Sequence, residues 1–165
     1  GRSQGGNNNS WCQNNLLGWM NWDCDQQDLE LLEYLKYVIR IRKKLIKFFN
    51  PSFVPHKKNH EDFPTYHWHG TKLDNPDWSS WSHTVAFSIN KGKNNPLIWI
   101  CLNAYSKNID FSLPKCKYNW LKVIDTSMSE IFKPSTFNEK SVSIKSRSSL
   151  LIISEEIFGS KNIIF

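Results

Sequence analysis

Between Gln26 and Phe49 the apolar residues Leu29, Leu32, Leu35, Val38, Ile39, Ile41, Leu45, Ile46 and Phe49 recur at steps of three and four. That is the spacing of one face of an α-helix. Asp23 or Asp25 can cap its start, and Asp28, Glu30 and Glu33 crowd the first turns. Arg40, Arg42, Lys43, Lys44 and Lys47 crowd its end, and Pro51 stops it. This charge order suits the helix dipole. At 1.5 Å per residue the element is about 36 Å long. An apolar stripe of that length needs a large partner to cover it. The rest of the chain holds no second long helical pattern, so the helix constrains the architecture more than composition does.

After Pro51 the texture changes to short runs of β-branched and aromatic residues separated by Pro, Gly and Asn-rich turns. These predict strands near 65–69, 83–90, 97–103, 108–113, 119–125, 141–145 and 148–154. The segment "NKGKNNP" at 90–96 joins two strands as a hairpin, and "LPKCKYN" at 113–119 joins two more. Without crossover helices the strands should pair antiparallel as a sandwich. With 39% hydrophobic and 14% aromatic residues the chain is globular, far from the profile of disordered sequences. The formal charge of +6 follows a general richness in Lys and Asn rather than a built basic face. Cys12, Cys24, Cys101 and Cys116 show no paired spacing, so free thiols are expected rather than a zinc ribbon or a disulfide framework. No apolar run approaches a membrane span, and the start on Gly1-Arg2 suggests an excerpt of a longer protein.

The order of landmarks closely resembles the C-terminal portion of isoamylase-type glycogen and starch debranching enzymes of the α-amylase superfamily. "GRSQGGNNNSWCQNN", "GWMNWD" and a helix ending "IRIRKKL" come first. "YHWHG", "PDWS", "VAFSI", "LIWICLNAYSKNIDFSLP", "WLKVIDTS" and "SRSSLLIIS" follow in that order. The glycine-asparagine run joined to an aromatic-Cys-Gln element is the most specific of these. The resemblance implies an α+β fragment: the last loop and helix of a (β/α)8 barrel at 1–50, a linker at 51–63, and an antiparallel β-sandwich domain at 64–165. Active sites of such barrels lie on the βα loops, so the opening stretch would be a rim loop of the substrate cleft.

A retaining glycosidase needs a carboxylate nucleophile and a carboxylic acid flanking the scissile bond. None of the acidic residues here follows the family's patterns for that pair. No catalytic residue is therefore assigned, and the chain alone is expected to be inactive. Asn7, Asn8, Asn9, Trp11, Gln13 and Asn15 match the rim-loop motif, and amides and indoles suit sugar hydroxyls and sugar faces. The same asparagines suit the shaping of the loop's own backbone. Asn14 stands where the family usually has Asp.

Trp19 and Trp22 are expected to pack at the barrel end. Trp68, Trp78 and Trp81 open the β-domain; Trp78 and Trp81 are candidate sugar platforms, with domain-interface packing as the competing role. His67 and His69 face the same way on a strand, with His83 beyond, but no third ligand at a recognised spacing supports a metal site. The resemblance implies no cofactor. Its partners would be a branched α-glucan, such as glycogen or starch, and the preceding barrel of the same protein. No nucleic-acid or membrane partner is expected. The compartment would be the cytoplasm, or the plastid stroma in a photosynthetic eukaryote. The alternative is a stand-alone carbohydrate-binding β-sandwich.

Overall fold

The computed structural model describes residues 4–12, 14–49, 64–92, 95–128 and 134–157. The expected linker at 51–63 lies outside them. The chain divides into two compact units, residues 1–40 and 41–165.

Helix α1 runs Gln26–Phe49, as its periodicity predicts. Asp25 caps it, its Oδ1 accepting the Asp28 N–H at 2.9 Å. This bond satisfies one of the amides that a helix start leaves unpaired. Tyr37, Ile41 and Leu45, four residues apart, are buried, whereas Leu29, Leu32, Leu35, Ile39 and Ile46 remain exposed.

Eight strands follow: β1 Pro64–His69, β2 Thr84–Lys91, β3 Pro96–Asn103, β4 Ile109–Ser112, β5 Trp120–Asp125, β6 Ser135–Phe137, β7 Ser141–Ile144 and β8 Ser148–Ser154. Seven of them coincide with the predicted runs. Every pairing is antiparallel. A six-stranded sheet is ordered β1-β2-β3-β8-β5-β6, and a two-stranded sheet pairs β4 with β7. The 90–96 segment joins the paired strands β2 and β3. The 113–119 segment does something different: it carries the chain from the small sheet to the large one, so the strands it joins do not pair.

The two sheets share a core. Ala86, Trp99, Cys101, Leu150 and Ile152 of the large sheet and Phe111 and Ile144 of the small one form a single buried cluster. Trp99 meets Phe111 edge-on at 6.1 Å. Burial in this cluster pushes the Cys101 thiol up to about 12. The opposite face of the large sheet buries Ile89, Ile98, Leu121 and Ile153, which explains why "LIWICL" reads as a continuous apolar run rather than an alternation. Asn103, at the end of β3, ties the sheets together. Its Nδ2 donates to the carbonyls of Lys107, Ile144 and Lys145 at 2.9, 3.2 and 3.0 Å, and its Oδ1 accepts from Tyr105 N–H. The last turn of α1 is fastened to β1 by Tyr66 Oη, which donates to the Phe48 carbonyl at 2.9 Å.

Candidate functional site

The N-terminal loop is shaped by its own side chains. Short 3-10 turns at Gln4–Gly6 and Ser10–Cys12 flank the asparagine run, and Gly5 and Gly6 take positive φ of 60° and 82°. That region is accessible to glycine without steric cost. Asn7 Oδ1 accepts Asn9 N–H at 3.1 Å, while its Nδ2 donates to the Asn9 carbonyl. Asn9 Oδ1 accepts Trp11 N–H, and its Nδ2 lies 3.1 Å from Cys12 Sγ. Asn15 Oδ1 accepts Leu17 N–H at 3.0 Å. Asn7, Asn9 and Asn15 therefore spend side-chain bonds on the loop, the competing role foreseen for them.

What the loop offers outward is narrower than the motif suggests. Asn8 is exposed, and Trp11 presents 97% of its surface. Gln13 lies outside the described residues. Asn14, where the resembled family carries Asp, accepts the Trp19 indole N–H at 2.8 Å. An amide oxygen fills that acceptor role without a charge.

In the β-unit, Trp78 and Trp81 are exposed to 65% and 76%. Trp78 sits edge-on to Trp68 at 5.3 Å, and Trp68 in turn leans on Phe87. Trp68, itself against Phe87, thus backs Trp78 at the β-unit's surface. Trp81 presents its ring free of that stack among the described residues.

The histidines do not converge on a metal. His83 stacks on Tyr105, and among the described residues no group of three His, Cys, Asp or Glu side chains is placed to hold an ion. His69 instead anchors a turn. Its Nδ1 accepts Asp74 N–H at 2.9 Å and its Nε2 lies 3.0 Å from Ser88 Oγ. Burial holds its pKa below the ordinary histidine value, against the pull of the Asp74 carboxylate. The ring is therefore neutral at pH 7, with its proton on Nε2. Gly70 completes the turn: a Cβ there would collide with the Asn75 carbonyl oxygen.

Beside this turn is an open depression of about 490 Å³, within the roughly 300–1,000 Å³ range of small-molecule clefts. His67, His69, Asp74, Ser88, Asn90 and Lys115 supply its polar lining, with Leu73, Pro96 and Pro114 as apolar walls. The strand pattern explains its floor. The positions of β2 that share a face with the common core read Ala86, Ser88 and Asn90, so the inward row turns polar toward the strand's end. Sequence reasoning singled out His67 and His69 but not Ser88, Asn90 or Lys115. The signal was available, because the alternate row of the same strand stays apolar as Val85, Phe87 and Ile89.

Comparison with known proteins is informative over most of the chain. Residues 67–152, a little over half of it, match the family model described as isoamylase 1-3, C-terminal. A rice protein named isoamylase 1, chloroplastic is 30% identical over 130 residues, covering 76% of this chain and 15% of that protein. Its Arabidopsis thaliana counterpart is 28% identical over 143 residues, covering 84% of this chain and 16% of its own length. A glycogen debranching enzyme of Dickeya chrysanthemi is 30% identical over 116 residues, covering 70% of this chain and 16% of that protein. The chain thus spans about 15% of the rice relative.

Proposed function

Because this chain belongs to the isoamylase 1-3 C-terminal family, as the C-terminal portion of an isoamylase-type debranching enzyme, we propose that the protein it completes hydrolyses the α-1,6 branch linkages of glycogen or a starch-like glucan. The family match across the β-unit carries this reading. Debranching would proceed by double displacement, with two carboxylates about 5 Å apart contributed by sequence outside these 165 residues. Residues 1–50 would form the rim loop and last helix of the barrel, and the two packed sheets the C-terminal sandwich.

The structure supports this division of labour in two ways. The N-terminal loop spends its amides on a fixed shape and holds Trp11 outward, which suits a wall of a sugar cleft. The exposed row Leu29, Leu32, Leu35 and Ile39 on α1 is the surface that a barrel would cover. The plant relatives carry chloroplastic in their names, which supports the plastid stroma if the source is a photosynthetic eukaryote; for any other source the reading is the cytoplasm. A second reading, a stand-alone carbohydrate-binding β-domain, is favoured only by the exposure of Trp78 and Trp81.

The test is to capture the native protein from its source with an antibody raised against this chain and to incubate it with amylopectin and with linear amylose. Release of linear chains from amylopectin, with amylose untouched, is expected. Failure to open α-1,6 linkages contradicts the reading.

A further inference from the structure

We propose that the depression formed by His67, His69, Asp74, Ser88, Asn90 and Lys115 is a binding site for a neutral, hydroxyl-rich ligand of one or two sugar residues. The inference rests on the depression's own chemistry and not on the proposed debranching activity.

Asn90 is the point of departure. It is only 8% exposed, and its Oδ1 finds no hydrogen-bond partner among the described residues. Buried side-chain amides are nearly always paired, so an unpaired one at the floor of an open depression marks a place prepared for a partner. A hydroxyl is the group that fits best. It both donates and accepts, and so satisfies the amide whichever way its oxygen and nitrogen are turned.

The neighbours narrow the ligand further. His69 Nδ1 is committed to Asp74 N–H, which leaves Nε2–H to donate to Ser88 Oγ. The Ser88 hydroxyl hydrogen is then free to be donated onward. Its side chain is buried, so the depression offers two fixed polar groups of complementary sense, an amide and a hydroxyl. His67 adds an imidazole whose Nε2 is tied to Thr65 Oγ1 at 3.2 Å.

Charge favours neither sign of simple ion. Asp74 and Lys115 both line the depression, and their opposite charges cancel, so the pair supplies no net charge to draw in an anion or a cation. An uncharged polyol can donate to the Asp74 carboxylate and accept from the Lys115 ammonium, and hydrogen bonds to charged groups are the stronger kind. The apolar walls Leu73, Pro96 and Pro114 supply surfaces for the C–H faces of a sugar ring. A glucan chain and a free sugar present the same chemistry, and a titration separates them.

The experiment is nitrogen-15 NMR of the 165-residue chain, titrated separately with maltotriose, glucose and inorganic phosphate. Saturable shifts at the Asn90 side-chain amide and the His67 and His69 rings are expected with maltotriose or glucose and not with phosphate. Tighter binding of maltotriose identifies a glucan chain as the source, and equal binding a free sugar. Asn90→Leu, which keeps the shape and removes the amide, should weaken binding by at least about tenfold. Lys115→Ala, at an exposed position that cannot unfold the domain, should weaken it by about threefold.

No shift at these residues with sugar on the order of tens of millimolar overturns the proposal. So do shifts that appear only with phosphate, or that are confined to Trp78 and Trp81. A native protein that debranches while its Asn90 amide ignores sugar sinks this site alone. Sugar shifts without debranching sink the other reading alone.

Discussion

Residues 4–40 and the β-unit both pair asparagine side chains with other polar groups, but by different routes. In the N-terminal loop the bonds are local: Asn7 to Asn9, Asn9 to Trp11, Asn15 to Leu17 and Asn14 to Trp19 span five residues at most. In the β-unit Asn103 reaches carbonyls 41 and 42 residues away, and Asn95 meets Glu156 across the sheet. Local bonds give a segment its shape without enclosing anything. Long-range bonds come with two sheets closing on Trp99, Phe111 and Ile152. The lesson is that hydrogen-bond satisfaction and core formation are separable, and that the first 40 residues possess mainly the former.

The largest effect should come from breaking the enclosed core. Trp99→Ala is expected to destabilise the β-unit by about 3–5 kcal/mol, through lost burial and the cavity left behind. Urea unfolding followed by far-ultraviolet circular dichroism measures it. Gly70→Ala should follow, at about 1–3 kcal/mol, because the new Cβ would meet the Asn75 backbone oxygen, which cannot step aside as a side chain can.

A graded effect of pH comes next. His69 has its folded-state pKa held below the ordinary value of 6.5 by burial, with Asp74 pulling the other way, so the unfolded chain binds a proton more readily than the folded one. Stability is then complete above pH 6.5 and falls as the pH drops from there toward the folded-state pKa. The melting temperature should decline between pH 7 and 5, and His69→Gln should flatten that decline. A melting temperature that rises over this interval would contradict the neutral, turn-anchoring role.

On the other side of the comparison the expected losses are small. Asp25→Ala removes the α1 cap and should cost about 1 kcal/mol of local helix stability, read as faster amide exchange in its first turn. Leu35→Ala, at a position 53% exposed, should change stability by no more than about 0.5 kcal/mol. It should also reduce self-association, since large exposed apolar patches favour it. A loss as large as that of Trp99→Ala would mean that the helix face is buried after all, and would break the contrast.

The elements were largely legible because each carried a local signal: the three- and four-residue spacing of α1, and the β-branched runs of β1 to β5, β7 and β8. Strand β6 was missed, since Ser135, Thr136 and Phe137 are too few to show a period. Pairing was also beyond local reading. Nothing within 113–119 shows that β4 pairs with β7 and β5 with β8, because such partners are chosen by the common core. At the candidate sites, the self-bonding of the asparagines followed from the chemistry of Asn. The polar row Ser88 and Asn90 was visible as an alternation with Val85, Phe87 and Ile89, but which of the two rows faces the common core is fixed only by the neighbouring strands.

One measurement bears most directly on the claim that this chain completes a debranching enzyme: the intact mass of the native polypeptide that carries it. The chain spans about 15% of the rice relative, so the mass should be several times 19.4 kDa. A native mass near 19.4 kDa would contradict the account, leaving a chain without the carboxylates that branch hydrolysis requires.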